Sequence, residues 1–298
     1  MVKCNLKTEN KHIILIDGLG VKSFSLKRPM PELPEVETYR RYFEATSLHQ
    51  PITDVYVEDT KLLTTDYDTL NQQLRNRQFI GTKRIGKNLF VQLDAPYWLH
   101  LHFGMTGDLA YFKDDEDTPR FARIIFKFAN GFKLGFLCPR KFERIGIIED
   151  IEGYLIRKKI YKDALEITLE ELTEKLKKKK APIKPVLLDQ SNVAGIGNWI
   201  VDEVLFQAKV YPEKIANQLT DNEMVEIHKA IQYVIQTAID SQANYDNFPH
   251  NFLIHARGWG SKGMQDERVG ICPECGKKVS IIKVGGRTTY FCESTQFL

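Results

Sequence analysis

The sequence predicts an α+β protein of more than one domain, in which an antiparallel β-sandwich precedes a largely helical half and a short cysteine-bearing hairpin. Three observations predict it. Between about residues 51 and 146 the apolar residues recur in short, strand-like runs. After Ile148 their spacing lengthens to three and four residues, the period of a helical face. From residue 271 onward cysteines and glycines replace that pattern. At 298 residues the chain is long enough to bury two cores.

The elements follow in order. Residues 1–29 end in Lys27-Arg28-Pro29 and read as an N-terminal extension, or as an upstream start placed before the functional chain. Their run Ile13-Ile14-Leu15-Ile16 is broken by Asp17 and Gly18, and no small-residue cleavage site follows it. Residues 30–148 make the sandwich domain, opened by a helix. Pro34 suits the first turn of a short helix, and Val36, Tyr39, Arg40 and Phe43 fall on one face of it. Strands are expected at residues 90–93, 99–103, 124–128 and 132–134, with Ala129-Asn130-Gly131 as the hairpin turn between the last two.

Residues 149–262 make the helical domain. Leu165, Leu169, Leu172 and Leu176 share one helical face before Lys177-Lys178-Lys179-Lys180, which reads as a solvated helix end. Leu219, Ile227, Ile231, Val234, Ile235 and Ile239 mark another helix. Between these, Gly195 and Gly197 separate a helix ending at Leu187-Leu188 from a helical stretch at 199–206. Residues 263–298 make the terminal hairpin, a separate unit on this reading.

Charge and cysteine usage narrow the class. Lys plus Arg number 42 against 39 Asp plus Glu, a net charge of +3, so any nucleic-acid site must come from a local basic groove. No 18-residue apolar span crosses a membrane. Five cysteines, an odd number without a secretion signal, indicate reduced thiols inside a cell.

The chemistry concentrates at Met30-Pro31-Glu32-Leu33-Pro34-Glu35-Val36-Glu37. Released from Met30, Pro31 would be a secondary amine able to attack a sugar carbon and form an iminium, with the Glu32 carboxyl beside it as proton donor. Inside a peptide bond Pro31 has no such nitrogen. Lys87, after Gly86 in a short connection, can meet a phosphate or simply be a surface lysine. The double-glycine turn frees backbone N–H groups that, with Asn198, could hold another phosphate, or it simply joins closely packed helices. Met105 on a turn, with Arg140 and Phe142 in Cys138-Pro139-Arg140-Lys141-Phe142, suits filling the gap left when a nucleotide leaves a duplex. Arg287 at the tip of the last hairpin is placed for a phosphate. Cys272, Cys275 and Cys292 offer zinc-type thiolates, but Thr295 stands where a fourth cysteine would return. A three-thiolate site, a recruited histidine such as His255, and a metal-free hairpin all remain open.

Taken together, Met30 to Glu37, Gly86-Lys87, His102-Phe103-Gly104-Met105-Thr106-Gly107, Leu188-Asp189-Gln190 through Gly197-Asn198, and Gly285-Gly286-Arg287-Thr288-Thr289-Tyr290-Phe291-Cys292 resemble the bacterial formamidopyrimidine-DNA glycosylase and endonuclease VIII family over about residues 30–298. The resemblance implies a β-sandwich joined to a helix-two-turn-helix domain and a zinc-finger-like hairpin. It implies bifunctional excision of oxidised bases, of the formamidopyrimidine or 8-oxoguanine type, and cleavage of abasic DNA by Schiff-base β/δ-elimination. By it Pro31 is the nucleophile, Glu32 the general acid and Lys87 a groove residue near the lesion. Met105, Arg140 and Phe142 fill the void and meet the unpaired base, and Asn198 and Arg287 clamp phosphate. The implied partner is damaged double-stranded DNA, bound by a monomer in the bacterial cytoplasm or nucleoid, with one structural zinc and no catalytic cofactor. Four departures stand out: the 29-residue extension, Thr295, a segment 244–259 short for a loop over 8-oxoguanine, and Cys138 in place of an acid before the Pro-Arg step. With residues 1–30 retained, the alternative is a non-catalytic binder of damaged DNA.

Overall fold

The computed structural model describes residues 30–257 and 270–297. The extension 1–29, its Cys4, and the end of segment 244–259 lie outside the described residues.

Helix α1, Leu33–Ser47, is longer than the short helix expected. Pro34 sits in its first turn, and Val36, Tyr39 and Phe43 face the sandwich core. Leu33, one turn earlier, belongs to the helical core instead. The first turn of α1 therefore spans the junction of two hydrophobic cores.

Eight strands follow: β1 (Ile52–Val57), β2 (Phe79–Ile85), β3 (Asn88–Leu93), β4 (Trp98–His102), β5 (Asp108–Lys113), β6 (Ala122–Phe128), β7 (Phe132–Leu137) and β8 (Arg144–Ile148). They form two antiparallel four-stranded sheets, ordered β1-β6-β7-β5 and β2-β3-β4-β8. In β6 Ala122, Ile124, Phe126 and Phe128 point inward and alternate with partly exposed residues, the pattern of a strand wet on one side. β3 is buried on both faces, because Tyr154 of α3 (Ile151–Lys158) packs over Phe90 and His100. The β6–β7 turn is a three-residue connection in which Gly131 takes the positive φ and the Asn130 side chain accepts the Phe132 N–H at 3.0 Å. Strands β1, β2, β5 and β8 were not anticipated individually, nor was helix α2 (Tyr67–Leu74). It buries only Leu70 and Leu74, too thin a stripe to stand out, and Asp66 caps it.

The helical half contains α4 (Leu169–Lys177), α5 (Ile183–Leu188), α6 (Asn198–Gln207) and α7 (Asp221–Asp240). Thr168 and Glu171 form a capping box that starts α4 after Leu165, so Leu165 lies outside the helical face predicted for it. The lysine run does end that helix, with Lys177 paired to Asp221 and Lys178 to Glu174. Among the described residues no helix is long and apolar enough to cross a membrane.

The last hairpin, β9 (Ser280–Val284) and β10 (Arg287–Phe291), is not the separate unit expected. The Lys184 ammonium, fully buried, donates to Asp202 Oδ1 at 2.7 Å, to the Thr288 carbonyl at 2.9 Å and to Thr289 Oγ1 at 2.8 Å. Asp202 Oδ2 in turn accepts from Arg257 at 3.0 Å and from the Tyr290 N–H at 3.2 Å. Charges this deep are tolerable only because each meets several partners, and the sharing fixes the hairpin on α6. Asp202→Ala strands two buried cations, and chemical denaturation is expected to show a loss of about 3–5 kcal/mol, far beyond that of a surface Asp→Ala control.

Candidate active site

The first turn of α1 is held against the start of α6. The Leu33 N–H donates to the Gly195 carbonyl at 3.2 Å. The Glu32 carboxylate, buried, accepts the Trp199 N–H at 3.0 Å and the Ile200 N–H at 3.3 Å, and so caps α6 from a residue 167 positions away. This contact explains the two glycines of the turn. A Cβ at Gly197 would lie 2.1 Å from Glu32 Cδ, and one at Gly195, where φ is +110°, 2.5 Å from Leu33 Cδ1. The sequence offered the freed N–H groups of this turn to a phosphate; in the helix that follows it, the Trp199 and Ile200 N–H groups face Glu32. Glu35 completes the arrangement, accepting the Glu32 N–H at 3.0 Å and the Tyr245 hydroxyl at 2.9 Å.

Burial pushes the Glu32 carboxyl up to about 7, against the pull of the Lys87 ammonium and the two α6 N–H groups. Near neutrality it is therefore able to hold or give a proton. Lys87 occupies the β2–β3 turn and is half-buried. Its pKa is lowered, first by burial and then by Arg287, while Glu32 and Glu35 act to raise it. Four side chains from distant parts of the sequence thus share one electrostatic environment. The turn is fixed by Asp163, whose Oδ2 accepts the Gly86 N–H at 2.6 Å and also pairs with Arg84. A Cβ on Gly86 would stand 2.9 Å from that of Ala194, so the turn abuts the glycine-rich connection directly.

Asn198 lies close to the start of β10: its amide donates to the Thr288 carbonyl at 3.1 Å, next to exposed Arg287. Met105, Arg140 and Phe142 form a second group. Gly104, at φ +57°, lets the Met105 turn lie on the Phe142 backbone, where a Cβ would come within 2.7 Å. Phe142 is 52% exposed and the Arg140 guanidinium lies 5.2 Å from its ring centre. β4 connects the two groups, since His102 pairs in register with Asn88, the neighbour of Lys87.

The thiols of Cys272, Cys275 and Cys292 lie within 4.8 Å of one another and could hold a metal ion through three ligands. Thr295 is on the same turn, its N–H bonded to the Cys292 carbonyl at 3.1 Å. His255 does not join them, because its Nε2 lies against the Pro249 carbonyl at 3.0 Å.

Several contributors escaped the sequence reading. His102, with its pKa lowered to about 4 by burial and by nearby Lys87 and Arg144, accepts the Gly104 N–H at 3.2 Å. Glu35 and Lys184 were also passed over. A lone lysine in the apolar run of α5 was the available signal for Lys184, as were the paired acids Asp202-Glu203 inside apolar α6 for their burial. Gly197→Ala should displace the Glu32 carboxylate and lower stability by about 1–3 kcal/mol in thermal unfolding. Gly197 lies at φ −123°, so its loss is steric, and Gly81→Ala, where the nearest atom would be 3.6 Å away, serves as the comparison.

Family models place this geometry among known proteins. That for the formamidopyrimidine-DNA glycosylase N-terminal domain matches residues 30–145. That for the formamidopyrimidine-DNA glycosylase H2TH domain matches residues 162–248. A formamidopyrimidine-DNA glycosylase of Pelotomaculum thermopropionicum is 34% identical over 279 residues, covering 90% of this chain and 99% of that protein. One from Arabidopsis thaliana is 32% identical over 289 residues, covering 90% of this chain and 71% of its own length. The crystal structure of the Lactococcus lactis enzyme bound non-covalently to DNA containing an abasic site superposes with a TM-score of 0.77 at 32% identity, covering 89% of this chain and 99% of that one. With both family models and relatives of nearly full length in agreement, the chain belongs to the formamidopyrimidine-DNA glycosylase family.

Proposed function

We propose that this protein is a DNA glycosylase and abasic-site lyase of base excision repair, with Pro31 as its nucleophile and Glu32 as its acid. The observation that carries the assignment of roles is the buried Glu32 carboxyl next to Pro31, anchored by two N–H groups of α6 and poised to titrate near neutrality. In the active form the Met30–Pro31 bond is absent. The lone pair of the Pro31 nitrogen attacks C1′ of the damaged nucleotide, a proton from Glu32 assists ring opening, and the base departs with the C1′–N bonding pair. The resulting iminium acidifies C2′, loss of that proton expels the 3′ phosphate, a second elimination expels the 5′ phosphate, and water releases Pro31.

The surrounding residues take the roles their positions favour. Lys87, Asn198 and Arg287 grip the backbone phosphates around the everted nucleotide. Met105, Arg140 and Phe142 enter the space it leaves, a step easiest at a damaged pair, which stacks less well. The relatives support this partner: one Lactococcus lactis structure holds DNA with a formamidopyrimidine-dG lesion, another DNA with an abasic site. Cys272, Cys275 and Cys292 would hold a structural zinc through their three thiolates. Bound zinc would cross-link the 272–275 turn to the strand end at 292. The protein works as a monomer in the compartment that holds the DNA.

Borohydride trapping on duplex DNA with an abasic site, followed by mass analysis of protein taken from its native cell, tests the nucleophile. An adduct beginning at Pro31 is expected. Absence of any adduct, from protein that still binds damaged DNA, would leave a non-catalytic binder. For the acid, kcat/KM for base excision is expected to fall as pH rises through about 7, because Glu32 then loses the proton it must donate. Glu32→Gln should remove that fall and harm excision more than reaction with a preformed abasic site. Equal losses on both substrates would refute the acid's role.

A further inference from the structure

Every other buried carboxylate in the described chain has both oxygens hydrogen bonded: Glu32, Glu35, Glu37, Asp163, Asp202 and Glu203. Glu143 is the exception. It is 0% exposed, its Oε1 accepts the Thr106 hydroxyl at 3.2 Å, and its Oε2 has no partner. A half-satisfied buried carboxylate destabilises a fold, so its location matters. Glu143 directly follows Phe142, and Thr106 directly follows Met105.

The packing around the pair is closed by glycine. A Cβ at Gly107 would stand 2.8 Å from Glu143 Cγ, and one at Gly104 2.9 Å from the Glu143 nitrogen. Cys138, at the start of the Arg140 segment, lies near enough that the Glu143 charge adds to the burial that raises its thiol pKa. The segment is held from behind as well: Arg144 donates to the Lys141 carbonyl at 3.1 Å and to that of Glu143 at 2.6 Å, and Arg123 donates to the Cys138 carbonyl at 2.9 Å. Of all these bonds, Thr106–Glu143 is the one that joins the Met105 turn to the Arg140–Phe142 segment side chain to side chain.

We propose that Glu143 is a positioning residue, the latch through which Met105, Arg140 and Phe142 enter the duplex as a single body and set how the unpaired base is met. This deepens the proposed function and rests on its assignment of those three residues to the gap. Glu143 touches no reacting atom; it acts through Thr106. The hydrogen bond gives the wedge its fixed spacing, and its effect is confined to DNA that has an opposite strand to be invaded.

The test is binding of the full chain to duplex DNA carrying a stable abasic analogue with 2-aminopurine opposite it, and to the same analogue in a single strand. Thr106→Val and Glu143→Leu are each expected to weaken duplex binding about tenfold and to abolish the 2-aminopurine fluorescence change, with single-strand affinity unchanged. The double variant should be no worse than either single one, because both break one bond. Glu143→Gln, which keeps an acceptor for Thr106, should recover most of the loss. Equal weakening on duplex and single strand, additive effects in the double variant, or an unaltered fluorescence change in Thr106→Val would each overturn the latch while leaving the assignment of the wedge intact. A wild-type chain that binds the duplex without any fluorescence change would overturn that assignment, and the latch with it.

Discussion

The contact on which the rest of the molecule depends is a helix cap made from the other side of a domain junction. Glu32 neutralises the first N–H groups of α6, and no nearer residue can do so, because Gly197 has no side chain to offer. That one carboxylate fixes the approach of α1 to the helical half, decides that position 197 must be glycine, and places an acid beside Pro31. Leu33 and Val36, three residues apart on α1, are committed to different cores. The junction is thereby anchored by apolar packing on both sides as well as by hydrogen bonds. An acid located at such a seam is shielded from water enough to raise its pKa.

The legible parts of this architecture were those written in local patterns. Phe126 and Phe128 alternate with Ile125 and Lys127, and Ile227, Ile231, Val234 and Ile235 recur at helical spacing, so strand and helix could be told apart. The Pro31-Glu32 pair stood out as well, because the chemistry proposed for it depends on adjacency alone. Illegible were relations that depend on distance in sequence. Nothing near Glu32 announces that it caps a helix starting at Asn198, and nothing near Gly86 announces its bond to Asp163. Period gave no help with α2, whose buried stripe is two leucines; β3 was found, but the burial of its second face was not, because Tyr154 arrives from a later helix. The double-glycine turn was found, but not its partner: nothing local shows that its glycines let Leu33 and Glu32 come close.

Buried charge follows a common rule through the molecule. Lys184 and Arg257 share the Asp202 carboxylate, Arg84 joins Asp163 to Glu37, and Glu203 accepts the N–H groups of Leu253 and Ile254 at 3.0 and 2.9 Å. Each set links segments far apart in sequence, where apolar contacts alone would allow sliding. The hairpin illustrates the point: Tyr290 stacks against Arg257, Thr288 and Thr289 meet Lys184, and its tip packs Gly285 on Pro185. Arg287 is thus carried on a frame with several independent attachments.

Helix α6 is ten residues, about 15 Å, and nearly every constraint described above ends on it. Its first turn receives Glu32 and carries Asn198; Asp202 in its middle seats the hairpin; Glu203 behind it fastens the segment 253–257. In the language of mechanical assembly α6 is a common datum. Parts referenced in series accumulate error, each joint adding its own play to the next, whereas parts referenced to one member do not. The Glu32 carboxylate, the Asn198 amide and strand β10 are all registered to the same short rod, so play in any one attachment stays local to that attachment.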